Sequence, residues 1–197
     1  MKTKTTRALG MAAVLAAGIA TDAPAHAAGK AALADGYLCC NMRTDGSWIS
    51  DSNYQETGKT MIPFGSPVKF RSFGRNRVNI EVLGKKQSIG NDYSRDLSIE
   101  EFGKRYIVTE DPRAKIAKAP ARIRNAIEQA KVARGMTREQ VLMALGYPIT
   151  SETPDLQDKY WRFWLWSFDP FTVVFGSDGK VKDIEGKPEL LRKVVAE

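Results

Sequence analysis

Gly135-Met136-Thr137-Arg138-Glu139-Gln140-Val141-Leu142-Met143-Ala144-Leu145-Gly146-Tyr147-Pro148 is a helix with both of its ends written into the sequence. Thr137 has the side chain of an N-cap, and Gln140 stands three residues later, where it closes a capping box. Val141, Leu142 and Leu145 recur at helical spacing. Gly146 can take the left-handed C′ conformation that ends a helix, and Pro148 prevents any continuation. A helix of about two and a half turns is marginal alone in water, so this one must dock on a larger apolar surface.

The neighbouring sequence supplies that surface. Upstream, Pro120 suits the first turn of another helix, in which Ile123, Ile127 and Ala130 share one face and Arg122, Arg124, Glu128 and Lys131 lie mostly elsewhere. Downstream, Tyr160-Trp161-Arg162-Phe163-Trp164-Leu165-Trp166-Ser167-Phe168 reads as a strand that is apolar at both parities. Trp161, Phe163 and Leu165 point one way; Tyr160, Trp164, Trp166 and Phe168 point the other. One face must meet the helices. The second needs its own cover: the N-terminal half, a second copy, or a partner. Because Trp and Tyr are enriched at binding hot spots, Tyr160, Trp164, Trp166 and Phe168 are the partner-binding candidates. Phe171 to Phe175, the turn Gly176-Ser177-Asp178-Gly179, Val181 to Ile184 and a short helix from Pro188 to Val195 complete the chain.

Val132-Ala133-Arg134-Gly135-Met136-Thr137, then Gln140-Val141 and Leu145-Gly146-Tyr147-Pro148, lead into the Trp-rich strand. Phe171-Thr172-Val173-Val174-Phe175 and Gly179-Lys180-Val181 follow. Over residues 120–186 this pattern resembles the BamE-like (SmpA/OmlA) domain of Gram-negative envelope proteins. The resemblance implies an α-α-β-β-β domain over 121–197 and a scaffold or assembly-assisting role in the envelope, such as outer-membrane protein assembly. Members of that family are lipoproteins, and here the chain departs from them. Cys39 follows Gly36-Tyr37-Leu38 and is not placed as a lipobox cysteine.

Residues 1–27 read as a secretory signal peptide. Lys2, Lys4 and Arg7 form the charged region, Ala8 to Ala20 a short apolar region, and Ala25-His26-Ala27 an A-x-A cleavage site. The expectation is a soluble periplasmic protein, not a lipoprotein, with no transmembrane segment in the mature chain. Cleavage would also remove His26, the only histidine. Without histidine there is no ordinary general base near neutral pH and no imidazole metal ligand, and two cysteines are too few for a zinc site built from thiolates. No catalytic residue, metal or cofactor is expected, and the reading is a non-enzyme. A carboxylate-dependent hydrolase is the alternative, and would need two facing carboxylates of opposed titration behaviour.

Cys39 and Cys40 are adjacent. An exported protein's compartment favours oxidation, and a vicinal disulfide would act as a local clip. In a regular strand one thiol would instead point inward and its neighbour outward, which forbids the bond. Both outcomes are open at this level.

Residues 28–110 read as a β-rich domain. Strands are expected over Tyr37 to Met42, Ser47 to Ser50, Pro67 to Phe73 and Arg77 to Leu83, punctuated by Gly- and Pro-rich turns. Ile62-Pro63-Phe64-Gly65-Ser66-Pro67-Val68, a Gly-rich hairpin, and Lys86-Gln87-Ser88-Ile89-Gly90-Asn91-Asp92-Tyr93 resemble a bacterial Src-homology-3-like barrel, many of which bind cell-wall peptides. Residues 111–120 read as a linker. The fold class is therefore α+β, a β-rich N-terminal barrel or sheet followed by the α-α-β-β-β domain.

The full chain carries a formal charge of +7. Lys69, Arg71, Arg75, Arg77, Lys85 and Lys86 crowd one hairpin region against Glu81 alone, which makes them candidates for an anionic surface: peptidoglycan carboxylates or lipid head groups. Exportation and the lack of any nucleic-acid motif exclude nucleic acid. Asp51, Asn53, Asn91, Asp92 and Asp96 could form an oxygen-rich cation site, against which stands ordinary turn chemistry. The function expected is that of an envelope interaction module with a protein partner, the alternative being a peptidoglycan- or anionic-lipid-binding module.

Overall fold

Alternation of apolar and polar residues builds the first half. A computed structural model describes residues 32–55 and 58–197, so the expected signal segment, 1–27, lies outside the described residues. Seven strands come first: β1 (Gly36–Leu38), β2 (Met42–Thr44), β3 (Trp48–Ser50), β4 (Thr60–Ile62), β5 (Pro67–Phe73), β6 (Arg77–Val82) and β7 (Lys85–Gly90). They are followed by helix α1 (Ile99–Tyr106) and strand β8 (Ile107–Val108). Strands β3-β7-β6-β5-β1-β8 form one curled sheet, antiparallel except where β3 runs parallel to β7, while β2 and β4 pair separately. Val78, Ile80 and Val82 of β6 point into a core with Leu38, Ile49, Phe102 and Tyr106. Burying each such aliphatic side chain contributes about 1.5–3 kcal/mol.

This half differs from the sequence reading in several ways: strands β4, β7 and β8 were not among the four expected. The expected strand 37–42 is broken at Cys39–Cys40 into β1 and β2. Helix α1 lies in a region read as strands and turns. Its signal was a capping box: Ser98 accepts from the Glu101 amide and Glu101 from the Ser98 amide.

The second half contains α2 (Arg113–Ile116), α3 (Ala121–Glu128), α4 (Arg138–Leu145), β9 (Tyr160–Trp164), β10 (Pro170–Phe175), β11 (Val181–Glu185) and α5 (Pro188–Val194). The chain is thus α+β. Helix α4 spans the expected residues, but Gly146 is its C-cap at φ +84°, ψ −174°, not a left-handed C′ residue. Thr137 accepts from the Gln140 amide at 3.3 Å, and Gln140 Oε1 from the Thr137 amide at 2.9 Å. Strands β9, β10 and β11 form an antiparallel meander. Trp161, Phe163, Phe171, Val173 and Phe175 on its inner face pack with Ile123, Ile127, Val141 and Leu145 of the helices. The segment read as a linker holds α2, whose Ile116 is part of the same core.

The halves exchange one aromatic ring each. Phe64, between β4 and β5, is buried in the C-terminal core. Tyr147, after α4, packs on the N-terminal core with its ring centroid 5.7 Å from that of Tyr106.

Candidate interaction surfaces

The aromatic segment divides by parity as its sequence requires. Trp161, Phe163 and Leu165 are buried. Residues 165–169 leave the strand, however, because Leu165 N–H donates to Asp169 O at 2.9 Å and Asp169 N–H to Trp166 O at 3.1 Å, closing the β9–β10 hairpin. Trp166 and Phe168 therefore sit on the hairpin loop and not on a longer strand. They are 44% and 74% exposed, with ring centroids 5.5 Å apart and planes nearly perpendicular. Trp166 Nε1 donates to the Asp169 carboxylate, which also accepts from Lys187 Nζ at 2.8 Å. Those partners, Lys187 first, hold the Asp169 carboxyl below its ordinary range. The loop is tied to the N-terminal half by Gln55 N–H donating to Leu165 O at 2.8 Å.

The other two candidates are separate from that tip. Tyr160 is 53% exposed and pairs across the sheet with Val174, whereas Trp164 pairs with Pro170 next to the turn. At about 3.3 Å per residue Tyr160 lies roughly 13 Å from Trp164 along the strand. Arg162 stands between them, its guanidinium 5.0 Å from the Trp164 ring. Trp164 is half-buried, and its indole N–H has no partner. The structure brings Trp166 and Phe168 together and leaves Tyr160 exposed and Trp164 half-buried on the outer face of the sheet.

Of the basic candidates, Lys69, Arg71 and Lys86 gather around Glu81. Lys69 and Lys86 are its cross-strand neighbours, and Arg71 bonds its carboxylate, holding Glu81 below the usual range. Arg77 stacks on Trp48, with its guanidinium carbon 3.2 Å from the ring centroid. Gly90 leaves room for that stack, since a Cβ there would lie 2.6 Å from the Trp48 ring. Arg71, Arg77, Lys86 and Trp48 line one groove of about 680 Å³. Arg75 and Lys85 lie at opposite ends of β6, at the turns.

The five oxygen-bearing residues do not all converge, although Asp92 lies near enough to Asp51 to help raise its carboxyl. Asn53 bonds the C-terminal half, Asp96 accepts from the Thr150 hydroxyl, and Asp92 faces Arg77 at 3.6 Å and Ser50 at 3.3 Å. Among the described residues no group of three or more His, Cys, Asp or Glu could hold a metal ion. Asp51 is buried; one oxygen accepts from the Tyr93 amide at 3.0 Å and the other has no partner. Burial pushes its carboxyl above the ordinary range. Burial likewise lowers the Arg43 guanidinium to about 10.

The seam between the halves is built on two asparagines that sequence reasoning did not single out for this role. Asn41 is fully buried. Its Nδ2 donates to Ile127 O at 2.6 Å and Ala144 O at 3.3 Å, its Oδ1 accepts from the Phe64 amide at 3.0 Å, and its own amide donates to Met143 O at 2.9 Å. Asn53, at φ +51°, donates to Asn41 O at 2.9 Å and Leu145 O at 2.8 Å and accepts from the Arg43 amide. A lone amide in the otherwise apolar run Leu38-Cys39-Cys40-Asn41-Met42 was the available signal. Immediately before Asn41, the Cys39 and Cys40 sulfurs are bonded to each other.

No protein-family model, no curated protein and no solved structure matches this chain. No helix among the described residues is long and apolar enough to cross a membrane.

Proposed function

We propose that the chain is an exported interaction protein of the bacterial envelope, and that a protein partner docks on the β9–β10 hairpin tip. The observation that supports this reading is the pair Trp166 and Phe168, two large rings held in contact with each other and left in water. Rigid, exposed aromatics of this kind are the usual anchors of binding hot spots. On this reading residues 1–27 are removed on export, the protein is periplasmic and unlipidated, and it works as a scaffold without catalysis, cofactor or metal. The α3-α4-β9-β10-β11 order fits the BamE-like resemblance, which favours a role in outer-membrane or envelope assembly. The curled N-terminal sheet fits the Src-homology-3-like one.

A second reading has its own support. Arg71, Arg77 and Lys86 around Trp48 offer a concave cationic face for a peptidoglycan carboxylate or an anionic head group. Capture from intact envelopes by the exported protein tests both. Loss of a captured protein with Trp166→Ala and Phe168→Ala, and not with Arg71→Ala and Lys86→Ala, supports the hairpin. The opposite pattern, with sedimentation on peptidoglycan or anionic vesicles, supports the groove.

A further inference from the structure

We infer that Cys39–Cys40 is a thiol–disulfide exchange site whose redox state sets how firmly the two halves are held together. The inference rests on the seam and stands independently of the hairpin reading. The bond joins neighbouring residues, so both side chains must turn to the same side of the chain. A continuous strand would send them to opposite sides. The bonded pair therefore occupies the bend between β1 and β2, where Cys39 N–H donates to Tyr106 O at 3.0 Å. The next residue is Asn41, whose backbone and side chain together reach Met143, Ala144 and Ile127 of the other half and Phe64, which is buried in that half's core. The clip thus fixes the direction from which Asn41 enters the seam.

The two cysteines differ in exposure. Cys40 is fully buried, with its sulfur 3.7 Å from that of Met42. Cys39 is 8% exposed and forms part of the wall of a cavity of about 210 Å³ between the halves, with Thr109, Lys115, Glu139 and Tyr147. A thiolate entering that cavity meets Cys39 first. For a dithiol reductant, one thiolate attacks the Cys39 sulfur, the Cys39–Cys40 bond breaks, and Cys40 leaves as a thiolate that takes up a proton. The reductant's second thiolate then attacks its own bound sulfur, the mixed disulfide breaks, and Cys39 leaves and is protonated. The protein gains two thiols and the reductant becomes a disulfide. With the clip open, the Cys39–Cys40 backbone is free to relax toward strand alternation, and the bonds made by Asn41 must hold the bend by themselves.

Hydrogen exchange on the whole exported protein, with and without dithiothreitol at neutral pH, tests this. Reduction of the native protein, followed by acid quench and alkylation in denaturant, should show two new thiols. The amides of Asn41 and Phe64 should then exchange at least about tenfold faster, while those of β6 and β10 keep their protection, the signature of a local opening and not a global one. The double variant Cys39→Ser, Cys40→Ser should exchange fast at the same amides whether or not the dithiol is present. If that variant does not fold, the parent with and without dithiol still decides. Failure of the dithiol to generate thiols in the native protein would overturn the exchange site. Verified reduction with unchanged exchange at Asn41 and Phe64, or with equal acceleration in β6 and β10, would overturn the control of the seam.

Discussion

The seam and the hairpin tip each reverse the ordinary sorting of side chains by polarity, in opposite senses. At the seam, Asn41 and Asn53 carry polar groups into the interior; at the tip, Trp166 and Phe168 carry large apolar rings into water. The interior exception is closed on itself. The amide groups of both asparagines find partners, and those partners belong to both halves. Directional bonds of this kind allow one arrangement of the two cores where apolar contact alone would tolerate several. The exterior exception is open. Its backbone is anchored by Leu165 and Asp169, so the rings are presented without the ordering cost that a mobile loop would incur on binding. Buried polarity here specifies the fold; on the proposed reading, exposed apolarity serves a partner.

The largest effect should come from the inward parity of the same strand that leads to the tip. Trp161→Ala removes the largest fully buried side chain and should destabilise the fold by about 3–5 kcal/mol, measured by denaturant unfolding. Asn41→Ala leaves the Phe64 amide buried and unpaired, with Ile127 O and Ala144 O losing a donor. A cost of about 2–4 kcal/mol is expected. A loss under half a kilocalorie in a melt would mean the seam does not depend on this residue.

Gly146→Val comes next. Gly146 sits at φ +84°, ψ −174°, a region essentially reserved for glycine, and forcing a β-branched residue there costs about 1–3 kcal/mol. A Cβ would also lie 3.3 Å from Asn53 Nδ2, so the substitution presses on the seam itself. Full stability in the valine variant would refute both the cap and the contact.

A smaller, pH-dependent effect belongs to Asp51. Burial raises its carboxyl above the unfolded-state value, so the unfolded chain gives up this proton first. The stabilising contribution is fully present below the ordinary aspartate range and is lost as pH rises through the raised native value. Melting temperature should therefore show a limb that falls with rising pH above the ordinary aspartate range, and Asp51→Asn should flatten it. An identical pH profile in the parent and the variant would show that another group is responsible.

What was legible in the sequence followed local chemistry. Thr137, Gln140 and Gly146 placed helix α4, and the alternation of Val78, Ile80 and Val82 placed β6, because each signal depends only on near neighbours. The parity of the aromatic strand was legible for the same reason. Its length was not: the chain turns where Leu165, Trp166 and Asp169 close backbone bonds, while the aromatic alternation runs on past that point. The seam was hidden because its partners are distant in sequence. Asn41 meets Ile127 and Ala144 across 86 and 103 residues, and nothing local distinguishes such an asparagine from one capping a turn. Asn53 was read as a turn or cation-site residue, and its real partner was Leu145. The Cys39–Cys40 outcome was undetermined because two local rules, strand alternation and pairing of available thiols, pointed in opposite directions.

The most direct test of the account is a pair of measurements on Trp166→Ala and Phe168→Ala. Neither variant should lose more than about 1 kcal/mol of folding stability, the cost at Trp166 being that of its bond to Asp169. Association with the captured envelope partner, measured by titration calorimetry, should weaken by about 2 kcal/mol or more, roughly thirtyfold in Kd. A stability loss comparable to that of Trp161→Ala, with partner affinity unchanged, would contradict the claim and make the hairpin tip part of the folded core.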